Sequence, residues 1–221
     1  MNKYVWIFFT TMLLLCSGCA WFETRDNLPV QELAANGMDD FANGEYRDAI
    51  ESFEKIRDWY PFSKYAVLAE LKTADAYYHL KEYEDAVAGY EEFENLHPRN
   101  EAVPYVVFQI GRCHFERIVS IDRDQSFTRK SVETFTRLIQ RFPNDPYSTR
   151  ATELLKVCHK QLCGHDLYVG KFYFKSKHYK AALQRFQDVL TLYPDVGSHQ
   201  EALRYIAECE DCLATDDPTA K

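Results

Sequence analysis

Four stretches of the chain repeat one spacing of residues, and that repetition constrains the fold more than any other feature. Ala49-Ile50 is followed by Phe53, Ile56, Tyr60 and Pro61, and Ala86-Val87 by Tyr90, Phe93, His97 and Pro98. Ser131-Val132 is followed by Phe135, Leu138, Phe142 and Pro143, and Ala182-Leu183 by Phe186, Val189, Tyr193 and Pro194. Offsets of 0, 1, 4, 7 and 11 put these side chains along one side of an α-helix, and a proline after the last turn ends it. Three of the four blocks also carry Tyr three residues before the Ala, at Tyr46, Tyr83 and Tyr179. Upstream of each block lies a further helical stretch with a small residue in one register: Gly37, Ala74, Gly111 and Gly170. A small side chain there lets two helix backbones approach closely.

Helix, turn and helix, with small residue, Tyr, Ala, aromatic and Pro in that order, resembles the tetratricopeptide repeat, whose usual period is about 34 residues. The prolines here are 37, 45 and 51 residues apart, so the excess locates insertions. The second interval lengthens the stretch around Ser120 to Gln125, and the third has room for a whole extra helix, roughly Tyr147 to Leu162. With a last helix from Ser198 to Leu213, the expectation is an all-α fold. It is an α-solenoid of about five helix pairs, some ten helices, over residues 30–213, each pair contacting mainly its neighbours.

Solenoids expose a concave face. On the first helix of each pair, a stripe about 100° from the packing stripe turns to that groove. It reads Gln31, Ala34, Met38 and Phe41, then Leu68, Leu71, Asp75 and Tyr78, then Tyr105, Phe108, Arg112 and Phe115. One reading buries these side chains between neighbouring superhelical turns. The other makes Phe41, Leu71, Tyr78, Phe108 and Phe115 anchors for a peptide, since large rigid rings dominate binding hot spots. In that second reading Arg112 supplies a bidentate partner for a terminal carboxylate.

The first residues follow a different logic. Lys3, an uncharged run from Tyr4 to Leu15 and then Cys16-Ser17-Gly18-Cys19 read as a secretory signal, too short for a membrane span of roughly 20 apolar residues. Cys19 resembles the acylated cysteine of a bacterial lipobox. The expected organisation is therefore a lipoprotein signal over 1–18, a lipidated tether over 19–29, the solenoid, and a disordered tail over 214–221. Several acyl chains, each buried methylene contributing about 0.8 kcal/mol, would hold such a chain at a membrane. In bacterial lipoproteins an Asp after the cysteine favours the inner membrane. Ala20 and Trp21 lack it, which points to the outer one.

Charge is segregated. Residues 20–100 hold 18 acidic and 8 basic side chains, residues 112–185 hold 7 and 15, and residues 186–221 hold 8 and 2. The middle is thus a basic island, and within it Lys171, Lys175, Lys177, Lys180 and Arg185 offer a docking patch for an acidic partner or anionic headgroups. A formal net charge of -8 excludes a general nucleic-acid binder, which needs an overall counterion-release contribution.

Catalytic chemistry finds little purchase. With the leader removed and the lipidated Cys19 set aside, Cys113, Cys158, Cys163, Cys209 and Cys212 remain, an odd number, so complete pairing is excluded, and buried thiols and one structural disulfide both stay open. Cys209 and Cys212 have a redox spacing but no βαβ context. Cys158, His159, Cys163 and His165 lack a second closely spaced pair to complete a tetrahedral metal site. There is no Gly-rich phosphate loop, Gly-x-Ser-x-Gly elbow or His-Glu-x-x-His. The expectation is a protein that is no enzyme and takes no cofactor and no metal.

Local words narrow this further. Tyr60-Pro61-Phe62-Ser63-Lys64-Tyr65, Tyr105-Val106-Val107-Phe108 before Gly111, Asp122-Arg123-Asp124-Gln125, and Arg141-Phe142-Pro143-Asn144-Asp145-Pro146-Tyr147 join the lipobox and the repeats. Together they resemble the BamD family of lipoproteins that serve outer-membrane β-barrel assembly. The likeness runs over roughly residues 15–213. It departs at Ile110, where the family commonly has Arg, and at the carboxyl end, where members run on into another helix. The resemblance implies a lipid-anchored assembly factor on the periplasmic face of the outer membrane. Its partners would be the barrel-forming subunit BamA, met through a POTRA domain, other assembly lipoproteins, and unfolded β-barrel substrates received by their C-terminal signal. It also matches Arg185 to a family Arg that communicates with the barrel subunit. The competing reading is a periplasmic repeat adaptor for envelope division or peptidoglycan work.

Overall fold

The structure, a computed structural model, describes residues 28–193 and 196–216. The signal segment, Cys19, most of the tether and residues 217–221 lie outside the described residues. Among the described residues there are nine helices: α1 (Val30–Asn43), α2 (Tyr46–Trp59), α3 (Lys64–His79), α4 (Tyr83–Leu96), α5 (Val103–Phe115), α6 (Ser126–Arg141), α7 (Pro146–Lys175), α8 (Tyr179–Leu192) and α9 (His199–Asp216). Each packs antiparallel on the next in chain order, as short connections between amphipathic helices require. The last helix runs three residues into the stretch expected to be tail.

The repeated words of the sequence become repeated geometry. Tyr60, His97, Phe142 and Tyr193, each just before one of the four prolines, close α2, α4, α6 and α8 with nearly one conformation, φ between -134 and -125° and ψ between 50 and 65°. A residue before proline is pushed out of the helical region, so the chain leaves each helix the same way. The turns from α1 to α2, α3 to α4 and α7 to α8 also share a left-handed residue: Gly44 at φ 83°, Lys81 at 63° and Lys177 at 60°.

Pairing rests on a notch and a ring. A Cβ on Gly37 would stand 2.7 Å from Phe53, one on Gly170 would stand 2.7 Å from Phe186, and Gly111 receives Phe135 more closely still. All three rings are essentially inaccessible to solvent. The second pair inverts the arrangement. Ala74 carries a methyl in the small-residue register, and the missing one is on the partner, where Gly89 would meet Ala74 Cβ at 3.0 Å.

The extra helix expected near 147–162 is not a separate element. It is continuous with the first helix of the next pair, giving the 30-residue α7. The physical reason is an unbroken buried stripe at Cys158, Leu162, Cys163, Asp166, Leu167 and Gly170, with no proline between the halves. A Cβ at Gly164 would stand 3.2 Å from Ile121, so the absent side chain makes room for the insertion against α7. The insertion itself is tied down. Gln125 is buried and donates to the carbonyls of Ser120 and Arg123 at 2.9 and 3.0 Å, and Gln161 of α7 donates to Val119 at 2.6 Å.

Curvature assigns the faces. The odd-numbered helices approach one another across repeats, α1 with α3 and α5 with α7. The even-numbered ones are parted by clefts of about 260 Å³ between α2 and α4 and about 470 Å³ between α4 and α6. Elements that crowd lie inside a curved stack, so α1, α3, α5 and the first half of α7 line the concave side.

Candidate functional site

The inner face is built from cations laid on rings. Lys72 of α3 lies over Phe41 of α1 at 4.8 Å, Arg112 of α5 over Tyr78 of α3 at 4.9 Å, and Arg150 of α7 over Phe108 of α5 at 4.8 Å. Each cation thus reaches back to the preceding inner helix, an arrangement that favours both charge–quadrupole attraction and burial of the long stem. Two of them are neutralised in place. Lys72 donates to Asp75 at 2.8 Å, and Arg112 to Glu116 at 3.1 Å, where the Tyr78 hydroxyl also donates at 3.2 Å.

Beneath this surface sits a polar cluster. Asp75, 3% exposed, accepts from the hydroxyls of Tyr90 at 2.7 Å and Tyr105 at 2.6 Å, and Gln109 reaches both tyrosine oxygens at 3.3 to 3.4 Å. Burial, then the facing carboxylate of Asp75, pushes both phenols well above their ordinary range, so they stay donors. A buried carboxylate with three donors is satisfied and fixes α3, α4 and α5 relative to one another.

This geometry revises the sequence-based anchors. Phe108 is 2% exposed, enclosed by Phe135, Tyr147 and Arg150, so its ring is core and unavailable to a ligand. Leu71 packs on the Tyr90–Phe93 cluster and Phe115 on the Phe135–Leu138 cluster, each half-buried. Phe41 stands edge-on to Tyr46 and His79. Of the six positions, the aromatic side chains of Phe41, Tyr78 and Phe115 are only half-buried and keep part of their surface accessible. Arg112 donates to Glu116 one turn along its own helix, so part of its guanidinium is engaged. Sequence reasoning missed Lys72, Tyr90, Tyr147 and Arg150. Tyr90 had a readable signal: a hydroxyl stands where the other blocks have Phe, and a buried phenol demands a partner.

The basic patch is not five free cations. Lys171 pairs with Glu201 of α9 at 2.6 Å and lies 5.7 Å from the Tyr205 ring. Arg185 donates to Asp166 at 2.9 Å, and that carboxylate, 9% exposed at its side chain, also accepts from Tyr193 at 3.1 Å. Lys175, Lys177 and Lys180 stand exposed around the α7–α8 turn.

The five cysteines among the described residues are free thiols, four of them buried. Burial pushes Cys113 up to about 12 and Cys158 and Cys209 up to about 11, the opposite of what a redox nucleophile needs. Cys158, His159, Cys163 and His165 are not brought together as a metal set among the described residues. His165 instead lies 2.6 Å from the Ile121 carbonyl. No described helix is long and apolar enough to cross a membrane.

The pattern of the YfiO family, described as an outer membrane lipoprotein, matches residues 26–221. The chain belongs to this family. Among its relatives is the protein named outer membrane protein assembly factor BamD of Caulobacter vibrioides, 28% identical over 87% of this chain and 65% of that protein. Its namesakes in Rickettsia prowazekii and Neisseria meningitidis serogroup A are 29% and 31% identical over 94% and 88% of this chain, and 84% and 77% of theirs. The chain therefore spans just under two thirds of the Caulobacter relative and more of the other two. A solved thermophilic TPR protein of Thermus thermophilus is 14% identical, covers 84% of this chain and 99% of that one, and superposes with a TM-score of 0.45.

Proposed function

We propose that this chain is a non-catalytic assembly factor for outer-membrane β-barrel proteins, a scaffold and substrate receptor held on the periplasmic face by acyl chains on Cys19. The observation that carries the reading is the family match over nearly the whole chain, joined to an inner face of rings and cations suited to a peptide. The name borne by relatives at 28 to 31% identity supports the assembly role. In this reading the inner face of α1, α3 and α5 receives unfolded substrate. The α7–α8 region, with Lys175, Lys177, Lys180 and the Arg185–Asp166 pair, meets the POTRA domain of the barrel-forming subunit BamA, and other assembly lipoproteins complete the complex.

The decisive experiment is purification of the tagged lipoprotein from gently solubilised outer membranes, with identification of what accompanies it. The expected companion is the barrel-forming subunit. Recovery with division or peptidoglycan enzymes instead would overturn the proposal. Metabolic labelling with a fatty-acid analogue tests the anchor: the wild type takes the label and Cys19→Ser does not.

A further inference from the structure

Each of the four proline corners leads from a second helix towards the next, and one of them differs. At Pro98-Arg99, Pro143-Asn144 and Pro194-Asp195 a polar residue follows the proline, whereas the α2–α3 corner carries Pro61-Phe62. Phe62 is 101% exposed, Trp59 at the end of α2 is 43% exposed, and Pro61 between them is exposed as well. Phe62 adds nothing to the core from there, and a cluster of large apolar groups in water marks a surface that meets something outside the fold. Nearby cations are matched in place, Lys55 by Glu51 at 2.8 Å and Arg57 by Asp58 at 3.8 Å, while Lys64 lies over the Tyr65 ring at 5.1 Å. What the corner offers is therefore apolar surface rather than net charge.

The same corner holds the end of the tether. The Tyr60 hydroxyl donates to the Leu28 carbonyl at 3.2 Å, and Leu28, Val30, Tyr60 and Tyr65 all pack on the α1–α2 core. Leu28 is nine residues beyond Cys19, and a stretch of that length reaches at most about 30 Å when fully extended. We propose that Trp59 and Phe62 sit in the interface of the lipid bilayer, a second membrane contact beside the acyl chains. The inference rests on the reading that Cys19 is acylated, and that anchor names the occupant: the bilayer is an apolar phase that the tether keeps within reach of this corner. Aromatic rings suit the headgroup level, where the ring meets hydrocarbon and an indole N–H still meets water. A tether alone lets the solenoid turn about its attachment, whereas a contact at the corner fixes which end of the helices faces the membrane.

The test reads Trp59 itself. Cleavage before Cys19 removes Trp6 and leaves Trp21 and Trp59, so Trp21→Phe makes Trp59 the sole indole. The lipoprotein carrying that change is reconstituted into vesicles of phosphatidylethanolamine and phosphatidylglycerol, with and without bromine on the acyl chains. Brominated lipid should remove about half of the Trp59 emission, because an indole at the headgroup level touches the upper acyl chain. A second reporter, Asn43→Trp with Trp21→Phe and Trp59→Phe, lies in the α1–α2 turn at the other end of the 14-residue α2, about 20 Å away, and should keep its emission. Phe62→Ser should weaken the quenching of Trp59 while the urea midpoint stays put, since that ring has no packing to lose. If Trp59 keeps its emission in vesicles that carry the protein, or if both reporters are quenched alike, the corner is no membrane contact while the anchor reading stands. If the lipoprotein does not float with the vesicles, the anchor reading falls and this proposal with it.

Discussion

Asp75 shows how much one residue carries in this protein. It is a carboxylate on the inner stripe, yet its three donors come from α3, α4 and α5, so it acts as a joint between two repeats. Tyr90→Phe removes one donor and leaves the others, and is expected to cost about 1 to 3 kcal/mol, read as a lower midpoint in urea unfolding. A second residue-scale expectation concerns acid. Burial, then Lys130 and Arg117, hold the His114 imidazole below its ordinary value of 6.5, and burial does the same to His159. Between the lowered native value and 6.5 the unfolded chain binds more protons than the folded one. Stability is therefore full above about pH 6.5 and is lost as pH falls below it. Urea midpoints measured from pH 7.5 to 5 should decline, and the double variant His114→Gln, His159→Gln should flatten that decline.

At the scale of elements, the turns and notches make opposite demands on side chains. Gly44 occupies the left-handed region at no steric cost, whereas Lys81 and Lys177 adopt it with a Cβ, a conformation that costs roughly 1 to 2 kcal/mol in an L-residue. Lys81→Gly relieves that strain but enlarges the freedom of the unfolded chain, so the net expectation is a gain of about 0.5 kcal/mol. Gly44→Ala should lose about 1 kcal/mol. Thermal unfolding of the two variants checks the opposed signs. Where helices meet, Gly111→Ala drives a methyl into the Phe135 ring, an overpacking expected to cost about 1 to 3 kcal/mol. The second variant, Gly111→Ala with Phe135→Leu, should recover part of the loss, because the obstruction is the ring edge and not backbone.

Across the whole molecule, the charge segregation leaves an acidic first half beside a basic middle. Docking through the middle should be fast and salt-sensitive, because the Debye length shrinks from about 10 Å at 0.1 M salt to about 3 Å at 1 M. Arg185 is a poor probe of that surface. Reversing it to Glu also strands the buried Asp166 beside a like charge, so lost binding would be confounded with lost folding. Lys175→Glu with Lys180→Glu, both exposed, is cleaner: co-purification with the barrel subunit is expected to fall while the urea midpoint stays put. Unchanged binding in that variant, and at 1 M salt, would reduce the island to solvated helix faces.

Periodicity alone determined the solenoid, its pairing and its stops, because helix registers and proline exits are local properties. The small residues Gly37, Gly111 and Gly170 were legible in register, whereas the ring each one receives, Phe53, Phe135 or Phe186, came from the tertiary structure. Local pattern could not say that the extra helix fuses into α7, since continuity depends on α6, α8 and Ile121 all packing along one stripe. Nor could it rank the groove residues. Phe41 and Phe108 occupy the same kind of stripe, but one keeps an open edge while the other is roofed by Tyr147 and Arg150 from a helix some forty residues away. Which charge is spent is likewise a three-dimensional fact. Arg112 finds Glu116 one turn along its own helix, and Arg150 finds only rings, because the superhelical stacking of α5 on α7 sets what each guanidinium can reach.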